Sequence, residues 1–212
     1  MGLELIQNCD DAGATAVRID IRKDHLNIWN NKSFSNCGLK EASCLFENES
    51  TNGVKNKACD FHAISNVGSS NKYKDPSLIG RFGIGFVSVY QITDAPIIRS
   101  AGLELKLDPH EGRNRFKKIP VAEGTEIQLP WAFDENSGTR QALSASAVQK
   151  ADLEILLRDL KKVAKNCLLF LRHLNSVEIA LNGNLKFGVT RKNKDSKTVQ
   201  LRFTPGNNAI EE

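Results

Sequence analysis

A chain of 212 residues with 40% hydrophobic and 25% charged side chains holds enough apolar mass to bury a full core, which excludes a disordered or low-complexity class. Its 29 Lys and Arg against 25 Asp and Glu leave a net charge of +4, too small to demand a nucleic-acid partner. No run of about eighteen apolar residues and no basic-then-apolar leader occurs, so the sequence predicts neither a membrane span nor export.

From Leu3 to Ala12 the apolar residues Leu3, Leu5, Ile6, Cys9 and Ala12 recur at helical spacing, and Gly13 follows as a stop. Alternation over Ala16 to Ile21 and Leu26 to Trp29, interrupted by RKDH, predicts a strand, turn and strand. The stretch 30–77 lacks periodicity apart from a short helix in ACDFHAISNVG, and so reads as a functional lid or a disordered insertion. Gly80, Gly83 and Gly85 then lead into an apolar helix over Phe86 to Ile92. APIIRSAGLELKL, GTEIQLPW and SVEIALNGNLKFGV read as strands, with turns at Gly102 and at Asn182-Gly183.

Between the last two, residues 146–174 predict one long amphipathic helix whose core stripe is Leu153, Leu156, Leu160, Val163, Cys167, Phe170 and Leu174, with His173 as its C-terminal cap. TRKNKDSK, Thr190 to Lys197, reads as a solvated hairpin tip. This order of elements predicts an α+β fold: a two-layer α/β sandwich with a mixed, mostly antiparallel sheet and helices on one face. Cys9, Cys37, Cys44, Cys59 and Cys167 are odd in number, irregularly spaced and contain no C-x-x-C pair. On that pattern neither a disulfide framework nor a zinc site is expected, and a reducing, cytoplasmic setting is.

Two constellations carry chemistry. Glu4, Asn8 and Asp11 lie at i, i+4 and i+7, on one face of the first helix. A solvated polar face would account for the acids, but Asn gains little in mid-helix unless its amide is used. A carboxylate with an amide oxygen suits a hard divalent cation such as Mg²⁺. The second constellation joins NVGSSNK, Asn66 to Lys72, to the glycine run: free backbone N–H groups at a helix entrance receive phosphates. The spacing is neither the dinucleotide fingerprint nor a Walker loop, and the plain alternative is a glycine-kinked entry that serves packing.

Taken in order, these segments resemble the Bergerat-fold ATPases, which include gyrase, the ninety-kilodalton heat-shock chaperones, histidine kinases and MutL-type repair proteins. ELIQNCDDA resembles the family's N-box and IGRFGIGF its second glycine box. Phe82 and Phe86 with the following VSVYQITDAPIIRS, the paired DDAGA, and FHAISNVGSSNK are similar to the chaperone and sacsin-like branch, a resemblance covering roughly residues 1 to 130.

The resemblance implies Mg²⁺-dependent binding and slow hydrolysis of ATP, with lid closure driving a conformational change in a larger protein. It implies Glu4 as general base, Asn8 as Mg²⁺ ligand and Asp11 in support. Gly80, Arg81, Phe82, Gly83, Ile84, Gly85 and Phe86 would surround the phosphates, Ser69, Ser70 and Lys72 would sit on the lid, and Thr125 would help fix adenine. The family's first glycine box departs: where an aspartate accepts the adenine amino proton, IWNNKSF offers Asn30 and Asn31, whose carbonyls accept without charge assistance.

The N-box helix starts within three residues of Met1, where relatives carry upstream residues. The expectation is therefore an excised single ATP-binding domain over 1–204, with the irregular lid at about 35–79 and 205–212 starting a linker. Other domains of a larger chain are the expected partners. Family members often dimerise, but nothing in the sequence presents a seam or names a client. Two alternatives are a nucleotide-binding interaction module with little turnover, and a DNA-transaction ATPase of the MutL or gyrase type using the basic residues near Lys192 and Lys194, which is less favoured.

Overall fold

The computed structural model describes residues 2–39, 44–48, 50–51, 54–55, 58–67, 84–109, 114–193 and 198–206. The chain opens with helix α1 (Gly2–Asp11) and the hairpin β1 (Ala16–Ile21) and β2 (His25–Asn30). Short elements follow: α2 (Leu45–Asn48), β3 (Ser50–Thr51), β4 (Val54–Lys55) and α3 (Asp60–Val67). Next come α4 (Ile84–Val87), a 3-10 turn over Ser88–Gln91, and the strands β5 (Ile97–Ser100), β6 (Leu103–Lys106), β7 (Arg115–Lys118) and β8 (Thr125–Pro130). The last third holds α5 (Gly138–Leu143), α6 (Lys150–Cys167), β9 (Ser176–Leu181), β10 (Asn184–Asn193) and β11 (Val199–Pro205).

Nine strands form one sheet in the order β11-β10-β9-β1-β2-β8-β5-β6-β7. All neighbours are antiparallel except β1 and β9, whose parallel pairing brings the C-terminal third against the N-terminal hairpin. Alternation along each central strand puts one set of side chains on a single buried face. In register across that face run Ile179, Ile19, Ile28, Ile127, Ile98 and Leu105, one from each of six adjacent strands. Helices α1 and α6 pack on each other, and α6 packs on β9 and β10 through the buried Leu160, Ala164 and Cys167. The opposite face is polar, with Arg99 bridging Glu104, Glu126 and Gln128, and Arg18 paired to Glu178. A two-layer α+β sandwich with a mixed, mostly antiparallel sheet is the architecture the sequence predicts. Among the described residues no helix is long and apolar enough to cross a membrane.

Three details correct the sequence reading. The last long helix stops at Cys167, so Phe170 is 83% exposed and Leu174 enters the core from a loop. Its closing carbonyls are capped by Arg191, whose guanidinium donates to Leu168 and Leu171, and not by His173. The helix after the glycine run begins at Ile84 and tightens to 3-10 geometry at Ser88. Strands β7 and β11 and helix α5 were not predicted: β7 is exposed along its whole length and carries no alternation, whereas β11, also mostly exposed, does alternate at Val199, Leu201 and Phe203 and was missed.

Two buried charges fix how loops meet these elements. Asp10, at the end of α1, accepts backbone N–H bonds from Arg172 (2.9 Å), His173 (2.7 Å) and Leu174 (2.8 Å). Burial pushes its carboxyl upward, but the three backbone donors outweigh that and hold it below the usual carboxylate range. Arg140 on α5 is fully buried. Its guanidinium donates to Asp94 at 2.6 Å, to the carbonyls of Gln91 (3.1 Å) and Thr93 (3.0 Å), and to the Tyr90 carbonyl, closing the end of the 3-10 turn. Ser137 caps α5 and also bonds Asp94.

Because the folded carboxyl of Asp10 titrates below its unfolded value of about 3.9, its contribution is complete above that pH and disappears as pH falls through the folded value. Asp10→Asn should cost about 2 kcal/mol near neutrality, lowering the melting temperature by about 4–8 °C. The gap to wild type should narrow in melts taken to progressively lower pH, as the folded carboxyl takes up its proton; a gap independent of pH would refute the assignment. Arg140→Ala strands Asp94 and several carbonyls and should cost about 3–5 kcal/mol in urea unfolding, with Arg140→Lys recovering part of it. Equal stability of Arg140→Ala and wild type would show that the clamp is idle.

Candidate functional site

Helix α1 buries Leu5, Ile6 and Cys9, leaves Glu4 and Asn8 half-buried, and exposes Asp11. Its polar face therefore grades from enclosed to open along one line. Of the two Asn8 amide atoms, only Nδ2 is both buried and unpartnered. A buried donor left unmade costs about 1–3 kcal/mol, which marks Asn8 as a side chain the fold does not satisfy from within. Helix α4 packs against α1, and Phe86 joins Leu5, Ile6 and Cys9 in one core cluster. The end of the glycine-rich segment thus meets the Asn8 helix, although about seventy residues separate them in sequence.

Next to the isoleucine row, the same buried face turns polar. Asn30 on β2 stands opposite Thr125 on β8, which stands opposite Ser100 on β5. All three are buried. The Thr125 hydroxyl donates to the Lys32 carbonyl at 2.7 Å and lies 2.8 Å from the Ser100 hydroxyl, which also accepts the Phe34 N–H at 2.8 Å. Asn30 donates to Cys9 Sγ at 3.6 Å and accepts the Lys32 N–H at 2.9 Å, so it links α1 to the sheet and holds the chain leaving β2. Its carbonyl oxygen keeps one lone pair. Gly124 makes this register possible: its φ is +80°, and a Cβ there would sit 2.1 Å from the Asn30 carbonyl oxygen.

Asn31 faces elsewhere. Its Oδ1 accepts from the N–H groups of Thr15 and Ala16, and its Nδ2 donates to Thr15, so this amide anchors the start of β1. Ile84 and Gly85 open α4, while Ser69, Ser70, Lys72, Gly80, Arg81, Phe82 and Gly83 lie outside the described residues. Thus Asn30 and Thr125 share the buried polar row, Glu4 and Asn8 share α1, and Asn31 is spent on scaffolding. Ser100 and Cys9 complete the polar row without having been foreseen, because strand register, which a sequence does not print, puts Ser100 beside Thr125.

Burial pushes the Cys9 thiol up to about 12 against the opposing Asn30 hydrogen bond, with the Asp10 charge adding to the rise. It is a neutral hydrogen-bond acceptor here and no nucleophile. The chemistry available is that of oxygen and amide groups: a carboxylate at Glu4, an amide at Asn8 and a fixed, buried polar row of Asn30, Thr125 and Ser100. A separate groove of about 500 Å³ is lined by Arg158, Lys161, Lys162, Lys165 and Phe187, from α6 and β10, and contains none of these groups.

Comparison with known proteins bears on the same segments. Human sacsin is 38% identical over 115 residues, covering 51% of this chain and 2% of that protein. Protein NO VEIN of Arabidopsis thaliana is 42% identical over 65 residues, or 28% of this chain and 2% of its own length. The chain therefore spans about 2% of the length of these curated relatives. Among solved structures, a mutated MutL ATPase domain from Aquifex aeolicus aligns with a TM-score of 0.45 at 15% identity, over 86% of this chain and 58% of that one. The sacsin domain family model matches residues 2–119, from α1 through β7, with both the Asn8 helix and the glycine run inside the match, and the chain belongs to the sacsin domain family.

Proposed function

We propose that this domain binds ATP with Mg²⁺ and hydrolyses it slowly, and that closure of the segment around 35–79 over the nucleotide transmits a conformational change to the rest of a larger protein. The observation that carries the reading is the α1 face itself: Glu4 and Asn8 lie half-buried one turn apart, and the helix that follows the glycine run packs against the same α1.

The donor set fits a hard cation. Asn8 offers an amide oxygen, and Glu4, one turn earlier, a carboxylate; neither is a soft ligand. Asn8, with Glu4 beside it, would hold a Mg²⁺ ion, and the ion would offset the negative charge of the phosphates. Glu4 orients a water and takes its proton as the water oxygen bonds to the γ-phosphorus and the bond to the β–γ bridging oxygen breaks. Asp11, more exposed, supports the local field. Gly80, Gly83 and Gly85 leave room for backbone N–H groups to approach the phosphates, flanked by Arg81, Phe82, Ile84 and Phe86, while Ser69, Ser70 and Lys72 belong to the closing segment. Asn30 receives the adenine edge through its remaining lone pair, beside Thr125.

The test is calorimetry and phosphate release on the whole chain. Wild type should bind ATP only with Mg²⁺, and Asn8→Ala should abolish this Mg²⁺-dependent binding. Glu4→Gln should retain binding while hydrolysis falls by about 10²–10⁴-fold. No heat at high protein concentration would end the nucleotide reading. Retained binding with equal background rates in wild type and Glu4→Gln would leave a nucleotide-binding module without turnover.

A further inference from the structure

Away from the α1 face, the chain gathers four side chains that sequence spacing keeps apart. Cys37 lies in the loop after β2, Cys44 immediately before α2, Cys59 immediately before α3, and His62 in the first turn of α3. Their three sulfurs and one imidazole nitrogen all lie within 4.8 Å of one another. His62 Nδ1 is 3.2 Å from Cys59 Sγ and 3.4 Å from Cys37 Sγ. A tetrahedral ion with Zn–S of about 2.3 Å and Zn–N of about 2.0–2.1 Å sets its ligand atoms about 3.5–3.8 Å apart, so closing this cluster on an ion takes shifts of about 1 Å or less. We propose that Cys37, Cys44, Cys59 and His62 form a structural zinc site.

The surroundings are built for sulfur ligands. The Cys59 N–H donates to Cys44 Sγ at 3.1 Å. Such a donor holds a thiolate ligand in place. The turn after Cys37 uses Gly38 at φ +92° and Leu39 at φ +50°, the second a left-handed conformation uncommon for a residue other than glycine. Asp60 and Ser35 lock the flanks: Asp60 Oδ2 accepts from Ser35 N and Oγ, both at 2.8 Å, and the Asp60 N–H returns a bond to Ser35 Oγ at 3.0 Å. Between Cys59 and His62, Phe61 is fully buried and meets Phe34 edge-on at 5.3 Å, seating the cluster on the main core.

A disulfide explains this arrangement poorly, since any pair of the three thiols would strand the third beside an imidazole. All five cysteines are free, and four of the chain's nine Cys and His side chains converge here. Thiolate and imidazole donors select zinc over Mg²⁺, which separates this site chemically from the α1 face. The site ties the chain leaving β2 to the start of α3. In a stretch with few buried apolar residues, a metal staple supplies cohesion that packing does not.

The experiment uses the whole chain, reduced throughout, with elemental analysis after exposure to zinc and desalting. One zinc per chain is expected. The chelator-stripped chain titrated with Co²⁺ should develop the visible bands and near-ultraviolet thiolate charge transfer of a tetrahedral site. Cys59→Ser and His62→Gln should lose the metal in the presence of a competing chelator, while Cys167→Ser, outside the cluster, should keep it. Because ligand variants can fail to fold, wild type is also melted with zinc and with chelator, and zinc should raise the midpoint by several degrees. Absence of zinc and of the cobalt bands in folded wild type overturns the site. So does stoichiometric zinc retained by Cys59→Ser, or zinc lost equally from Cys167→Ser.

Discussion

The apolar row that crosses the sheet from Ile179 through Ile19, Ile28, Ile127 and Ile98 to Leu105 is the constraint on which the rest depends. Each of these side chains gains about 1.5–3 kcal/mol by leaving water, so the row resists any slip in register. A shift of one residue in any central strand would carry its isoleucine to the polar face, beside Arg99 and Glu126. Once the row is fixed, the next row is fixed as well, and Asn30, Thr125 and Ser100 must lie side by side. The polar row is thus a consequence of hydrophobic registration. Its hydroxyls and amide then find partners in Lys32, Phe34, Gly124 and Cys9, as buried polar groups must.

The helical layer is held by buried charges at chain junctions. Asp10 anchors the loop that enters β9, Arg140 closes the 3-10 turn behind α4, and Arg191 caps the carbonyls at the end of α6. Each spends its charge on backbone groups that the end of a regular element leaves unpaired. Placement of α4 behind α1 therefore relies on a residue, Arg140, from an element more than fifty positions later in the chain. The ion pairs on the open sheet face, such as Arg18 with Glu178, are half-exposed and contribute little beyond solubility.

The two proposed centres are chemically distinct. The α1 face carries oxygen and amide groups, and the loop cluster carries sulfur and imidazole. They use different elements, since α1 contributes nothing to the cluster and α3 nothing to the polar row. One sulfur marks the boundary: Cys9, buried beneath α1, has its thiol pushed far above neutrality and acts only as an acceptor for Asn30.

Local patterns in the sequence determined the helix over Gly2–Asp11, the hairpin of β1 and β2, the Asn182-Gly183 turn with φ of 49° and 84°, and the layered α+β class, because periodicity and turn chemistry act between near neighbours. Helical spacing also marked Glu4 and Asn8 as residues of interest, while Asn30 and Thr125 were marked only by the family resemblance. Tertiary structure alone decided that Asn30 meets Thr125 and Ser100 whereas Asn31 turns to Thr15, since sheet register is a long-range property. It alone ended α6 at Cys167 and gave its cap to Arg191. It also brought Cys37, Cys44, Cys59 and His62 together where spacing had argued against a metal. Only the Cys59-x-x-His62 step at the start of α3 is local enough to have been legible; Cys37 and Cys44 lie fifteen or more residues away from it in sequence.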